Sequence, residues 1–172
     1  IEQMAKREKP QLIITGGTAY PRDINYKRKG ENPKKVGAYY MADIAHEAGL
    51  IGAGVLSSPF KYADVVTMST QKTLRGPRAS ITCSKKELGE KIDRAIFPGL
   101  QGGPFDNNIA ALAVALKEAL AADFKTYATR VVKNAKAFAK ALQGYGFAIV
   151  SGGTDKHIIL IDLRNKGIDG SK

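Results

Sequence analysis

The chain has 172 residues, 44% of them hydrophobic, enough for one compact domain with a core and too apolar for a disordered one. No apolar run approaches the roughly 18 residues of a membrane span, and the single cysteine, Cys83, excludes an internal disulfide and points to a reducing, cytoplasmic setting. The formal charge of +11 suits an anionic partner such as a phosphate or a polyglutamate tail, but lysines spread along helices, as between Lys125 and Lys140, give the same charge as solvated faces.

Residues 1–9 read as the tail of an amphipathic helix. No charged-then-apolar leader precedes it, so it is not a secretion signal. The abrupt start at Ile1 and the end at Gly170-Ser-Lys172 point to a portion of a longer chain. Leu12–Thr15 is a buried-type strand that stops at Gly16-Gly17. Tyr26–Pro33 should be the crossover helix to the next strand, but Gly30 and Pro33 oppose a continuous helix, which predicts a short or broken one. Ala38–Asp43, Ala63–Ser69 and Ala79–Ser84 follow as strands, each apolar through its middle as a strand covered on both faces should be.

Lys85–Ile96 then reads as a helix with Ser84 as N-cap. Asn108–Ala122 is almost wholly Ala, Leu, Val and Ile, which predicts a helix buried on most sides. Asp123 is placed to cap the next helix and Gly144 to end it. Phe147–Val150 and His157–Asp162 look like strands of a later subdomain. Strands alternating with helices make this an α/β chain.

In an open α/β sheet, ligands gather beyond the carboxyl ends of the strands. Three strand ends carry polar residues here: Thr18 after the first, Asp43 and His46 after the second, Ser69 to Lys72 after the third. Asp43 could hold a cation or a protonated ring nitrogen, or simply cap the stretch that follows. His46 taken alone reads as a satisfied structural histidine, and with only two histidines in the chain a metal site has little to draw on. Lys72, flanked by small hydroxyl residues just past a strand, is a partly desolvated amine able to form a Schiff base, or a surface lysine in a polar loop. Gly99-Leu-Gln-Gly-Gly-Pro104 could aim backbone amides at a phosphate, or be a tight turn.

Taken together, Ser69-Thr-Gln-Lys-Thr-Leu-Arg-Gly-Pro-Arg78, Asp43-Ile-Ala-His-Glu-Ala-Gly-Leu-Ile51, Phe97-Pro-Gly-Leu-Gln-Gly-Gly-Pro104 and Gly152-Gly-Thr-Asp-Lys-His157 resemble, in order and spacing, the serine hydroxymethyltransferase family. The resemblance implies the large domain of a fold-type I transferase dependent on pyridoxal 5'-phosphate (PLP), a mostly parallel sheet with helices on both faces. Residues 1–122 would be part of that domain; residues 123–172 would be a linking helix and the beginning of a C-terminal α+β subdomain. It implies reversible transfer of a hydroxymethyl group from L-serine to tetrahydrofolate, giving glycine and 5,10-methylenetetrahydrofolate.

By the same resemblance Lys72 holds PLP covalently, with Gln71 beside it at the catalytic position. Asp43 pairs with the pyridinium nitrogen, while His46 and Thr18 sit by the ring and its phenolic oxygen. Ser69 borders the phosphate, and Arg78 adds positive potential. Gly102 and Gly103 would serve the PLP phosphate of a neighbouring subunit, which implies a homodimer or a dimer of dimers with shared sites.

The chain also departs from the family pattern. Gln71 stands where histidine is usual, Ala79-Ser80 where Gly-Gly is usual, Asp106-Asn107 where Met-His is common, and Lys156 where asparagine is usual. The family's stacking aromatic, catalytic glutamate and carboxylate-gripping arginine have no match in these residues, so no folate-dependent turnover is expected of the chain alone. Two alternatives stand beside this reading. One is a folate-independent PLP aldolase acting on β-hydroxy amino acids, which Gln71 suggests. The other is a non-catalytic basic module binding nucleic acid, which the lack of any nucleic-acid motif disfavours.

Overall fold

The computed structural model describes residues 1–171. Strands β1 (Leu12–Thr15), β2 (Tyr39–Asp43), β3 (Val65–Ser69) and β4 (Ser80–Ser84) form one sheet in the order β1-β2-β3-β4. The first three are parallel, with Leu12 opposite Tyr39 and Asp43 opposite Thr67, and β4 returns antiparallel to β3. Each of the four strands expected for this sheet is present, shortened at most by its first two residues. The parallel pairing brings the carboxyl ends of β1, β2 and β3 to one edge of the sheet.

On one face of the sheet, Tyr40, Ala42 and Ile44 are almost inaccessible and join Val66 in the main core. Side chains of this kind contribute roughly 1.5–3 kcal/mol each when fully buried. Alternate residues on the other side, Leu12, Ile14 and Tyr39, stay exposed. The cover expected on both faces of every strand is therefore not supplied by the described residues. An apolar strand is competent for such cover, but neighbouring layers have to provide it.

Helix α1 (Glu2–Glu8) precedes the sheet, and α2 (Tyr26–Val36) crosses from β1 to β2. The broken helix expected over 26–33 is a continuous one of 11 residues. Asn25 caps it, its side chain accepting the Arg28 amide at 3.0 Å. Pro33 and Gly30 are both buried. A Cβ on Gly30 would lie 3.0 Å from the Tyr62 Cβ, so the glycine permits a close approach of helix to core. That tertiary contact outweighs poor local propensity.

The short α3 (Ala48–Gly52) follows β2, and its Leu50 packs with Ala128 and Val132 of α6 (Ala122–Gly144). Between them lie α4 (Lys86–Arg94), a wide turn at Ala95–Leu100 and α5 (Asp106–Ala119). Lys85, not Ser84, is the N-cap of α4; the Ser84 hydroxyl donates to the Lys85 carbonyl instead. Contrary to expectation, α5 buries only Ala115, while Ile109, Val114 and Leu116 are exposed. Its composition is that of an enclosed helix, but within this chain α6 is its principal helical neighbour.

Ala121 is the N-cap of α6, with Asp123 in the first turn, where its charge favours the helix dipole. Gly144 is the last helical residue, and the reversal falls at Gly146, whose φ of 78° suits glycine. The final pair, β5 (Ala148–Ile149) and β6 (Ile161–Asp162), is antiparallel and shorter than expected, leaving His157 outside any strand. Among the described residues no helix is long and apolar enough to cross a membrane.

Candidate active site

Beyond the ends of β2 and β3 the chain makes two turns that are bonded to each other. After β2, the Asp43 carboxylate accepts the Ala45 amide through Oδ1 at 2.8 Å, which turns the backbone toward α3. Gly16, at the end of β1, abuts this point: a Cβ there would lie 2.9 Å from the Asp43 Cβ. Following β3, residues 70–79 form the loop that carries Lys72 before β4 begins.

Thr70, fully buried, organises that loop. Its hydroxyl lies 2.5 Å from the Pro77 carbonyl and 3.0 Å from that of Ala79, and accepts the Ala79 amide at 3.2 Å. Its own carbonyl accepts the Gly76 amide at 2.7 Å. Thr73 joins the loop to its neighbour, donating to the His46 carbonyl at 2.8 Å and accepting the Gly49 amide at 3.1 Å. Ser69 donates to the Ala45 carbonyl at 3.1 Å. Gly49 is required here, because a Cβ would meet the Thr73 carbonyl oxygen at 2.2 Å. Lys72 thus lies between two hydroxyl anchors on the segment that starts at Asp43. Arg75, in the left-handed region at φ 62°, places its guanidinium 4.2 Å from the Tyr127 ring centre and so ties the loop to α6.

The C-terminal segment arrives at the same edge. Thr154 donates to the Pro21 carbonyl at 3.1 Å, the Asp155 amide donates to it at 3.0 Å, and Arg22 pairs with Asp155 at 3.1 Å. This brings His157 onto His46, ring centres 5.9 Å apart and planes 20° from parallel. Both imidazoles are held below their ordinary pKa. For His46 burial is the main cause, reinforced by the charges of Lys72 and Lys156 and opposed by Glu47 and Asp43. For His157 burial again leads, followed by His46, with Lys156 and Lys72 adding to it against Glu47. The Lys72 charge acts on both rings in the same direction, favouring the neutral imidazole in each. Two buried polar atoms at this edge, Gln71 Oε1 and His157 Nδ1, have no hydrogen-bond partner among the described residues.

Of the residues singled out in the sequence, Asp43, His46, Ser69, Gln71 and Lys72 are half-buried and gathered on the two bonded turns. Thr18 is exposed in the bend after β1, and Arg78 is exposed near the end of the Lys72 loop. Gly102 and Gly103 lie in the exposed connection before α5, with open space where a Cβ would project and no hydrogen bond to the Lys72 loop among the described residues. Sequence reasoning missed Thr70, Thr73, Glu47 and His157 as parts of the site. The two threonines flank Lys72 in the motif itself, which was a usable signal. Nothing local marks Glu47 or His157, which meet across 109 or more residues through Lys156.

A mostly parallel α/β sheet, with a lysine and a carboxylate beyond adjacent strand ends, defines a fold-type I core. Comparison with known proteins is specific. The serine hydroxymethyltransferase family model matches residues 1–172, and the chain belongs to that family. It is 55% identical over 171 residues to the serine hydroxymethyltransferase of Wolbachia pipientis subsp. Culex pipiens (strain wPip). It is 56% identical, over the same length, to those of Wolbachia sp. subsp. Drosophila simulans (strain wRi) and Wolbachia pipientis wMel. Each match takes in 99% of this chain and 40% of the relative, so the chain spans about two fifths of the length of the curated relatives it matches.

Proposed function

We propose that this chain is the PLP-binding portion of a serine hydroxymethyltransferase, which moves the hydroxymethyl group of L-serine reversibly to tetrahydrofolate to give glycine and 5,10-methylenetetrahydrofolate. The observation that carries the reading is the pair of hydroxyl anchors, Ser69 and Thr73, that bond the Lys72 loop to the Asp43–Gly49 segment. An amine meant for an aldehyde and a carboxylate meant for a ring nitrogen of the same molecule need a fixed spacing, and these bonds hold both turns together.

The residues present fit PLP. Lys72 supplies the amine. Asp43 uses Oδ1 on the Ala45 amide, which leaves its second oxygen for a protonated ring nitrogen. The unpartnered Gln71 Oε1 and His157 Nδ1 are buried polar capacity of the kind a bound polar group satisfies. When bound, PLP supplies an electron sink for negative charge developing on the substrate. Asp43 would hold a proton on the ring nitrogen by its own charge, His46 and Thr18 would be the residues for the ring, and Ser69 and Arg78 would favour its anionic side. Gly102 and Gly103, remote from the Lys72 loop in hydrogen bonding, are read as serving the site of a second copy in a homodimer or dimer of dimers, in a reducing cytoplasm.

The unpartnered Gln71 carbonyl also favours a second reading on the same site. An amide cannot carry a proton at neutral pH, so cleavage of β-hydroxy amino acids without folate would be the activity retained. Absorbance spectra of the purified chain with added PLP, wild type against Lys72→Ala, test the primary assignment. A long-wavelength band lost in the variant is expected. Equal bands in both proteins, or no band from folded wild type, would overturn it for this chain; folate-independent cleavage by a loaded sample would select the aldolase.

A further inference from the structure

Glu47 is the N-cap of α3, and Lys156 lies between Asp155 and His157. Their side chains are 5% and 1% exposed and form an ion pair. Two charges withdrawn this far from water persist only when each is held against the other. Lys156 also stands over the Tyr20 ring at 5.7 Å, and Glu47 is its one ion-pair partner among the described residues.

We propose that the Glu47–Lys156 pair is a latch that seats residues 153–157 against the start of α3 and thereby positions His157 on His46 beside the Lys72 loop, a role that rests on the reading of the Lys72 site above. The sequence neighbours make the argument. His46 immediately precedes Glu47 and His157 immediately follows Lys156, so one ion pair fixes the backbone under both rings. On the far side, Thr73 holds the His46 carbonyl at 2.8 Å. The Lys72 loop, His46, Glu47, Lys156 and His157 are thus joined in one continuous series. The buried, unpartnered Nδ1 of His157 is a site the ring would not choose unaided, and the latch is what keeps it there. His46 faces Lys72, Glu47, Lys156 and Asp43; His157 faces His46, Glu47, Lys156 and Lys72.

The test uses the full chain, whose two histidines give separable ring resonances by NMR, assigned with His46→Gln. Glu47→Gln and Lys156→Met should each speed amide exchange at 153–157 at least tenfold while β2 amides keep their wild-type rates. In Glu47→Gln both histidines should then titrate closer to the ordinary 6.5 as the rings are released to water, opposite to the downward shift that losing the Glu47 charge alone would give. The apolar double variant Glu47→Leu/Lys156→Met should restore both readouts, because well-packed apolar residues can replace a buried ion pair. Unchanged exchange and titration in the single variants would overturn the latch. If the single variants unfold throughout, the double variant decides: wild-type titrations support the latch, while ordinary titrations or failure to fold overturn it. The PLP band is read separately, so its absence from wild type counts against the site assignment while exchange and titration still decide the latch.

Discussion

Replacing Thr73 by valine keeps the shape of the side chain and removes only its hydroxyl, which makes it a clean probe of how the Lys72 loop is held. In the native fold that hydroxyl donates to the His46 carbonyl at 2.8 Å and accepts the Gly49 amide at 3.1 Å. Thr73 is 7% exposed and Gly49 is buried, so water cannot readily replace either bond. The Gly49 amide is one of the orphan donors of the first turn of α3, capped here from another segment. Leaving a buried donor unsatisfied costs about 1–3 kcal/mol, and the half-buried His46 carbonyl adds about 1 kcal/mol. The sum, about 2–4 kcal/mol, corresponds to a fall in Tm of roughly 4–16 °C for a chain of this size. Thermal and urea unfolding measure it, with Thr73→Ser as the control that keeps the hydroxyl. A Thr73→Val protein within about 0.5 kcal/mol of wild type, the range of an ordinary surface substitution, would refute the claim that these bonds hold the site.

Two further predictions follow from glycine packing and from titration. Gly30→Ala should destabilise the protein by about 1–2 kcal/mol despite alanine's better helix propensity, because the new Cβ would press on Tyr62 at 3.0 Å. Gly89→Ala, in α4 with open space around it, should instead gain up to about 1 kcal/mol; urea midpoints for the pair test this, and equal signs would refute it. His46 and His157 both have pKa values below 6.5 when folded, so the unfolded chain binds more protons below that value. Their contribution to stability is complete above pH 6.5 and is lost as pH falls through the lowered folded values. Denaturation midpoints taken from pH 7.5 to 4.5 should fall along this limb, and His157→Gln should flatten it; an unchanged slope would show that the ring is not buried neutral.

The sequence by itself determined the sheet strands, the order of elements and the family, since apolar runs ending in small or polar residues define strands locally. It also carried Lys72, Asp43 and His46, which lie within short contiguous motifs. What it misjudged depended on contacts between distant segments. Gly30 looks like a helix breaker until Tyr62 and Tyr40 are placed against it. The apolar sequence of α5 describes a helix that needs cover, but whether cover exists depends on what lies beside it. Glu47, Lys156 and His157 gave no local sign of belonging together, because a buried ion pair is decided by the desolvation and geometry of two side chains that only the folded backbone brings into contact. Local propensity and pattern are properties of neighbours in sequence; the shape of the site is a property of neighbours in space.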